Sequence, residues 1–117
     1  MWEIEGADEF ATWYASLAEP EVSAVNAAVD KLAQLGPGLR RPLVGHIEGS
    51  RHANMRELVI PYRNLRVLFA FDPRRVAILL LGGDKTDRWQ EWYDEHVPRA
   101  DALYDAYLAD LKKEGLL

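Results

Sequence analysis

A run of six consecutive apolar residues, Val76 to Leu81, constrains the fold of this chain more than any other feature. A strand that is apolar on both sides must be buried on both sides, so the run predicts an interior strand of a sheet. Gly82 and Gly83 follow it and predict its end. The chain has 117 residues, the size of one ordinary domain with a single core. We therefore expect one domain, residues 1–117, built around this strand.

The segment before residue 36 predicts one short strand followed by two helices. Residues 2–5 alternate apolar and acidic side chains, which is typical of a strand. From Ala7 the apolar residues recur at helical spacing, and Pro20 is expected to stop that helix. A second helix begins near Glu21 and ends at the Gly-Pro-Gly of residues 36–38. We expect two antiparallel helices joined by a tight turn.

The middle of the chain predicts strands, and its end predicts helices. Residues 43–47 form a weak strand, while 55–60 and 65–71 alternate in the period of two that strands require. Residues 55–60, residues 65–71 and the apolar run make a three-strand meander. A helical tail begins at about residue 87, and Pro98 is expected to open its last helix. Runs of strands after runs of helices are typical of an α+β fold.

The composition excludes several classes of protein. The chain has no cysteine, which rules out a disulfide framework, thiolate metal sites and a thiol nucleophile, and fits a reducing compartment. The apolar run is far shorter than the about 20 residues of a membrane span, so we expect a cytoplasmic protein without membrane contact. No pattern for zinc, calcium, a dinucleotide or a serine nucleophile is present, and we expect no metal and no cofactor. The Lys85-Thr86 pair before a helix resembles a phosphate-binding loop, but Leu79 and Asp84 stand where that motif needs glycine.

The charge is unevenly distributed along the chain. The formal net charge is −5, yet residues 36–88 carry ten basic and five acidic side chains between two acidic ends. Such an asymmetry fits a nucleic-acid contact better than the total charge does. The alternative is that these arginines are scattered over solvated faces. Arg40-Arg41-Pro42 is expected to be an exposed loop only.

Three segments carry a resemblance to a known family: residues 49–58, 65–75 and 81–86. Together they resemble the RelE/ParE superfamily of bacterial type II toxins, in its phage Gp49-like HigB branch, over about residues 8–108. The resemblance implies a RelE-like βααβββ core with a C-terminal helix. It further implies a ribosome-dependent, metal-independent endoribonuclease that cuts translated mRNA and arrests growth. The implied partner is a cognate antitoxin with a helix-turn-helix domain, through which alone operator DNA would be contacted.

Metal-free RNA cleavage needs a proton acceptor for the 2′-hydroxyl, cations for the phosphate and a proton donor for the leaving oxygen. Arg66 matches the arginine with which RelE-type enzymes bind phosphate; its alternative role is an ion pair with Glu57 or Asp72. Lys85 stands where the family usually keeps a basic residue, and other cations nearby could lower its pKa. Its alternative role is that of a solvated lysine at a helix start.

Two further residues are catalytic candidates. Arg56 shares a strand face with Leu58 and is expected to join Arg66 across the hairpin, unless it is a simple edge charge. His52 could act as general base or acid because its ordinary pKa lies near neutrality. Its alternative is a surface or packing role. These assignments require the cations to gather over one exposed face of the sheet.

Other side chains are candidates for contacts with the RNA backbone. They are Arg51, Arg63, Arg74, Arg75 and Arg88. Trp89, Trp92 and Tyr93 could stack on a base, but their helical spacing favours a place in the core. The acidic tail is expected to pack on the chain's own sheet; screening of the basic groove and docking of a partner are the alternatives.

Two other functions fit the same sequence. One is a ParE-like inhibitor of DNA gyrase without nuclease activity, since one scaffold can host both functions. The other is an inactive toxin homologue that serves as the antitoxin's corepressor on operator DNA. Convergence of Arg56, Arg66 and Lys85 would favour the nuclease over the gyrase inhibitor.

Overall fold

A computed structural model describes all residues from 1 to 117. It consists of a five-stranded sheet, two helices on one face of the sheet and one long helix on the other. The elements are β1 (Glu3–Gly6), α1 (Asp8–Ala15), α2 (Glu19–Leu35), β2 (Val44–His46), β3 (Met55–Val59), β4 (Leu65–Phe71), β5 (Val76–Asp84) and α3 (Trp89–Lys113). A single turn of 3-10 helix, Gly36–Gly38, follows α2. The α+β class and the order of elements predicted from the sequence are confirmed.

The apolar run lies where its composition predicts. The strand order is β1-β5-β4-β3-β2, so β5 is flanked on both sides; it pairs in parallel with β1 and antiparallel with β4. Every residue from Val76 to Leu81 is buried. The two faces of the sheet support two separate cores, one against α1 and α2 and the other against α3.

The alternation in β4 determines which side chains face which helix. Val67 and Phe69 are fully buried in the core under α1 and α2. Leu68 and Ala70 are fully buried in the core under α3. Arg66 has the same parity as Leu68 and therefore lies on the α3 face.

Two predicted helix boundaries are wrong, both at prolines. Pro20 does not stop the first helix, which ends at Ala15; it lies in the first turn of α2, where its missing N–H is not needed. Pro98 does not open a helix but lies inside the 25-residue α3. A proline inside a helix costs about 3 kcal/mol. The helix continues because Val97, Ala100 and Tyr104 pack on the sheet on both sides of that point.

No helix in the structure combines the length and the apolar character that crossing a bilayer requires.

The start of α3 lies directly on β5 at Gly83. A Cβ atom at this position would lie 2.6 Å from Nε1 of Trp92, which is itself completely buried. Gly83 is the strand partner of Arg66, so this close approach also sets the height of α3 above Arg66.

Replacing Gly83 with alanine is therefore expected to lower the free energy of unfolding by about 1–3 kcal/mol, the usual cost of overpacking a core. Chemical denaturation monitored by tryptophan fluorescence measures it. Gly38→Ala is the matched control, because a Cβ atom at Gly38 meets nothing within 4 Å. Equal stability of the two variants would contradict the close contact.

Candidate functional site

The sheet face that carries Arg66 is not exposed, which corrects the expectation from the sequence. Helix α3 covers it, and only 14% of the Arg66 side chain is accessible. Nε of Arg66 lies 3.3 Å from Oε1 of Glu57 on the neighbouring strand β3. Of the roles considered for Arg66, the ion pair with Glu57 is the one present in this conformation.

Tyr93 and Lys85 complete a cluster around this ion pair. The Tyr93 hydroxyl, on the second turn of α3, donates a hydrogen bond of 2.7 Å to Oε1 of Glu57. Nζ of Lys85, just after β5, donates one of 3.2 Å to the same hydroxyl. A lysine, a tyrosine and a carboxylate thus form one chain of hydrogen bonds beside a guanidinium. We call Glu57, Arg66, Lys85 and Tyr93 the Arg66 cluster.

Burial shifts two proton affinities in this cluster. Burial lowers the pKa of Lys85, and the charge of Arg66 lowers it further, while Glu57 acts in the opposite direction. Burial and the hydrogen bond to Glu57 raise the pKa of Tyr93 to about 12. Tyr93 is therefore protonated at neutral pH and available as a proton donor, and Lys85 releases its proton more readily than a solvated lysine.

One buried donor in the cluster and one beside it have no hydrogen-bond partner. Nε of Arg66 and Nε1 of Trp92 are the two buried side-chain atoms in the chain that have no hydrogen-bond partner. Nε of Arg66 is close enough to Glu57 for an ion pair but not oriented for a hydrogen bond. Buried unsatisfied donors are rare and often mark functional sites. Both lie on the α3 face, at Arg66 and its strand partner Gly83.

Trp89 marks the point where the cluster reaches solvent. Its side chain is 61% exposed, whereas Trp92 is fully buried. Nζ of Lys85 lies 4.8 Å from the centre of the Trp89 ring and 5.0 Å from that of Tyr93. Of the two roles considered for these aromatics, Trp92 therefore has the core role, while Trp89 presents a face on which a base could stack.

Arg56 does not join Arg66, contrary to the expectation from the sequence. In the antiparallel pairing of β3 with β4, Val59 lies opposite Arg66 and Arg56 lies opposite Phe69. Arg56 is therefore on the α1 and α2 face, with the sheet between it and Arg66. Its guanidinium donates hydrogen bonds of 2.6 and 2.9 Å to the carbonyls of Ala53 and Met55.

His52 lies at the other end of the sheet from Arg66. Its Nε2 is 2.7 Å from a carboxylate oxygen of Asp105 on α3, and its ring packs edge-on against Tyr104. It precedes the start of β3, and Arg66 pairs with the end of that strand, about 13 Å further along. The structure therefore gives His52 a packing role and does not bring it to the cluster.

The five arginines considered for RNA backbone contacts do not form one surface. Three of them form ion pairs within the chain: Arg51 with Asp105, Arg74 with Asp72, and Arg88 with Glu95. The other two lie over aromatic rings: Arg63 over Tyr62 and Arg75 over Trp2. Arg51, Arg74 and Arg88 are already paired with carboxylates and are therefore less available to bind phosphate.

The second half of α3 is fixed by buried carboxylates. Asp101, 2% exposed, accepts hydrogen bonds of 2.5 Å from the Ser50 hydroxyl and 2.9 Å from the backbone N–H of Arg51. Tyr107 donates one of 2.7 Å to Asp72 in the turn before β5. Burial raises the pKa of Asp72, but the hydrogen bonds from Tyr107 and from backbone N–H groups outweigh it and hold the pKa below the ordinary value. The acidic tail thus packs on the chain's own sheet, as expected, and holds Tyr93 over Glu57.

Glu57 and Tyr93 are the residues that the sequence did not single out for catalysis. Glu57 was considered only as a partner of Arg66, and Tyr93 only as a core or stacking residue. The sequence signal that could have found Glu57 is the alternation of side chains along each strand. Once the register of the hairpin is known, this alternation puts Glu57 and Val59 on the same face as Arg66. No group of three or more acidic or imidazole side chains is arranged to hold a metal ion.

The fold is that of the RelE toxins. A free-state mutant of the E. coli toxin RelE superposes with a TM-score of 0.62 at 11% identity, over 84% of this chain and 96% of that chain. RelE in the intact E. coli RelBE toxin-antitoxin complex gives 0.59 at 8% identity, over 72% of this chain and 96% of that one. At such low identity the likeness establishes the architecture.

Sequence comparison identifies the family within that fold. The model of the phage-derived Gp49-like proteins (DUF891) matches residues 12–105. The candidate toxin HigB3 of Mycobacterium tuberculosis is 44% identical over 83% of this chain and 85% of its own length. HigB2 of the same organism, also a candidate toxin, is 40% identical over 90% of this chain, which spans only about half of that protein (54%). The chain belongs to the Gp49-like family, the HigB-type branch of the RelE superfamily.

Proposed function

We propose that this protein is the toxin of a toxin–antitoxin pair and an endoribonuclease that cuts translated mRNA on the ribosome without a metal ion. The family, with its HigB relatives, supports the toxin role. The observation that carries the nuclease is the convergence of Arg66 and Lys85 on Tyr93 and Glu57. These side chains can supply the proton acceptor, the positive charge and the proton donor that metal-free phosphodiester cleavage requires.

The reaction assigns one role to each member of the cluster. The 2′-oxygen of a ribose attacks the adjacent phosphorus, the bond to the 5′-oxygen breaks, and a 2′,3′-cyclic phosphate and a free 5′-hydroxyl result. Glu57 accepts the proton of the 2′-hydroxyl, and Tyr93 gives its own to the 5′-oxygen. Arg66 binds the phosphate oxygens through its planar fork. Lys85, whose pKa is lowered, adds positive charge and returns a proton to Tyr93.

Because α3 covers this face and Arg66 is paired with Glu57, the proposed reaction needs a second, open conformation of the site. Glu57 is paired with Arg66 and accepts a hydrogen bond from Tyr93, so these donors are not free for a phosphate. Helix α3 also covers the cluster. RNA therefore enters from the side of Trp89, where the cluster reaches solvent. Its phosphate takes over the contact with Arg66, and this frees the Glu57 carboxylate for the 2′-hydroxyl. The ordered first turns of α3 need to shift for this exchange.

The proposed partner is a cognate antitoxin with a helix-turn-helix domain, which alone contacts operator DNA. The RelE structure bound to RelB in the E. coli toxin-antitoxin complex has the same architecture, which supports a partner of this kind. Ribosome and mRNA are the remaining partners, and they place the proposed activity in the cytoplasm.

Induction of this chain alone in a bacterial host is expected to stop growth and to cut mRNA inside coding regions. Mapping of RNA 5′ ends measures the cuts, and a reporter mRNA without a start codon is the control, because it should remain intact. Halted DNA replication with intact mRNA would instead identify a gyrase inhibitor. Normal growth with abundant folded protein would contradict the toxin role.

A further inference from the structure

A basic pocket lies on the opposite side of the sheet from the Arg66 cluster, where the edge strand β2 meets the loop after α2. It has a volume of about 510 Å³. Three arginines and a histidine line it: Arg40, Arg41, Arg56 and His46. His46 lies directly opposite Arg56 in the pairing of β2 with β3. The Arg40-Arg41 loop, expected from the sequence to be merely exposed, thus forms one wall of a pocket.

The positive charge of this pocket is not neutralised. None of its ten lining residues is acidic, and none of its three arginines forms an ion pair with a carboxylate. Four of the ten arginines in the chain, Arg51, Arg66, Arg74 and Arg88, pair with carboxylates. Of the six that do not, three line this one pocket. Uncompensated guanidinium groups around a concavity attract an anion, and their forked donors fit phosphate.

The rest of the pocket fits the base of a nucleotide. Leu39, Val44 and Phe71 provide an apolar wall beside the cationic groups. Arg56 is held in place by the carbonyls of Ala53 and Met55, so it loses little freedom when an anion binds. An apolar wall with a few fixed polar groups, in a volume of this size, is typical of small-ligand sites.

We propose that this pocket binds a nucleotide unit, with Arg40, Arg41 and Arg56 on its phosphate, as a second RNA contact separate from the cleavage site. The proposal rests on the proposed function, because an enzyme that cuts RNA meets its substrate on more than one surface. The sheet separates the two sites, since Arg56 faces α1 and α2 whereas Arg66 faces α3. An RNA strand bound in the pocket therefore has to pass around the edge strand β2 to reach the Arg66 cluster. Otherwise the bound nucleotide belongs to another part of a large RNA.

The test measures binding of a fluorescent single-stranded RNA carrying 2′-O-methyl groups, which prevent cleavage. Arg40→Gln/Arg41→Gln is expected to lower the affinity at least about tenfold, the usual effect of removing hydrogen bonds to charged groups. The salt dependence of log K should also become shallower by about 0.7 for each phosphate that the variant no longer binds. Arg99→Gln/Lys112→Gln on α3 removes the same charge elsewhere and should leave both quantities nearly unchanged.

Competition identifies the source of the nucleotide. If AMP fails to displace the RNA, the pocket binds a nucleotide within a strand. If AMP displaces the RNA and inorganic phosphate does not, the pocket also accepts a free nucleotide, and both results support the site. Displacement by inorganic phosphate as readily as by AMP would show a site for a bare anion and overturn the proposal. Equal weakening by the α3 control, unchanged affinity in Arg40→Gln/Arg41→Gln, or stronger binding of polyglutamate than of RNA would overturn it. If RNA binding depends on the pocket but no RNA is ever cleaved, the proposed function fails and the site remains.

Discussion

Arg66→Ala is expected to abolish growth arrest and to lower the rate of mRNA cleavage by at least about a hundredfold, as the removal of one preorganised donor to a developing oxyanion does in other enzymes. Arg66 is the one guanidinium of the Arg66 cluster and can bind phosphate through two parallel hydrogen bonds. Lys85 cannot replace it, because an ammonium is a point charge without that fork. Cleavage of a reporter mRNA during translation in vitro measures the effect.

A loss of activity could also follow from a loss of stability, since Arg66→Ala leaves the Glu57 carboxylate buried without its cation. Arg66→Lys separates the two causes, because the ammonium keeps a cation beside Glu57 but lacks the planar fork: it should retain the melting temperature but not the full rate of cleavage. Arg99→Ala, which removes a surface arginine of α3, should remain toxic. Retention of cleavage by the well-folded Arg66→Ala protein would remove the cluster from the mechanism.

The central strands of this fold follow from local patterns in the sequence. The apolar run of β5 and the alternation of β4 report directly on which sides of a strand are buried, because side chains alternate between the two faces. Strand β4 is observed with its predicted bounds, whereas β5 does not end at Gly82 and Gly83 as predicted but continues through them to Asp84, paired with β4. Short-range periodicity also predicts α1 and α2, apart from the boundary at Pro20.

The position of α3 could not be predicted in the same way. Its sequence shows an amphipathic helix, but not which surface its apolar face meets. Pro98 suggested a boundary, and the cost of keeping it inside the helix is offset only by contacts with a sheet that is distant in sequence. The exposure of the Arg66 face depends on this long-range packing of α3 against the sheet.

The candidate site was also predictable only in part. Arg66 and Lys85 stand at positions that match the family resemblance, and the structure brings both to Tyr93. Arg56 was misplaced because the hairpin register, Val59 opposite Arg66, puts residues 57 and 59 rather than 56 on the α3 face. Parity within each strand was readable, but the register between strands depends on the turn, whose geometry the sequence left open.

Tyr93→Phe is expected to lower the rate of mRNA cleavage by about a hundredfold to ten-thousandfold while leaving RNA affinity nearly unchanged. The substitution keeps the ring that packs against Trp92 but removes the hydroxyl that links Lys85 to Glu57. Tyr14→Phe is the control, because its hydroxyl donates an exposed hydrogen bond to Asn26 on α2, away from the Arg66 cluster on the other face of the sheet. Single-turnover cleavage separates the chemical step from binding.

The pH dependence of stability gives Tyr93→Phe a second readout that does not depend on activity. The pKa of Tyr93 is raised from 10.0 to about 12 in the folded protein. The stability linked to its protonated form is therefore complete below pH 10 and is lost as the pH rises through 10 toward about 12. Tyr93→Phe should remove this component of alkaline destabilisation, and Tyr14→Phe should keep it. If cleavage by Tyr93→Phe stays within a few fold of the unmodified chain while the alkaline component disappears, the hydroxyl is buried as described but another group protonates the 5′-oxygen.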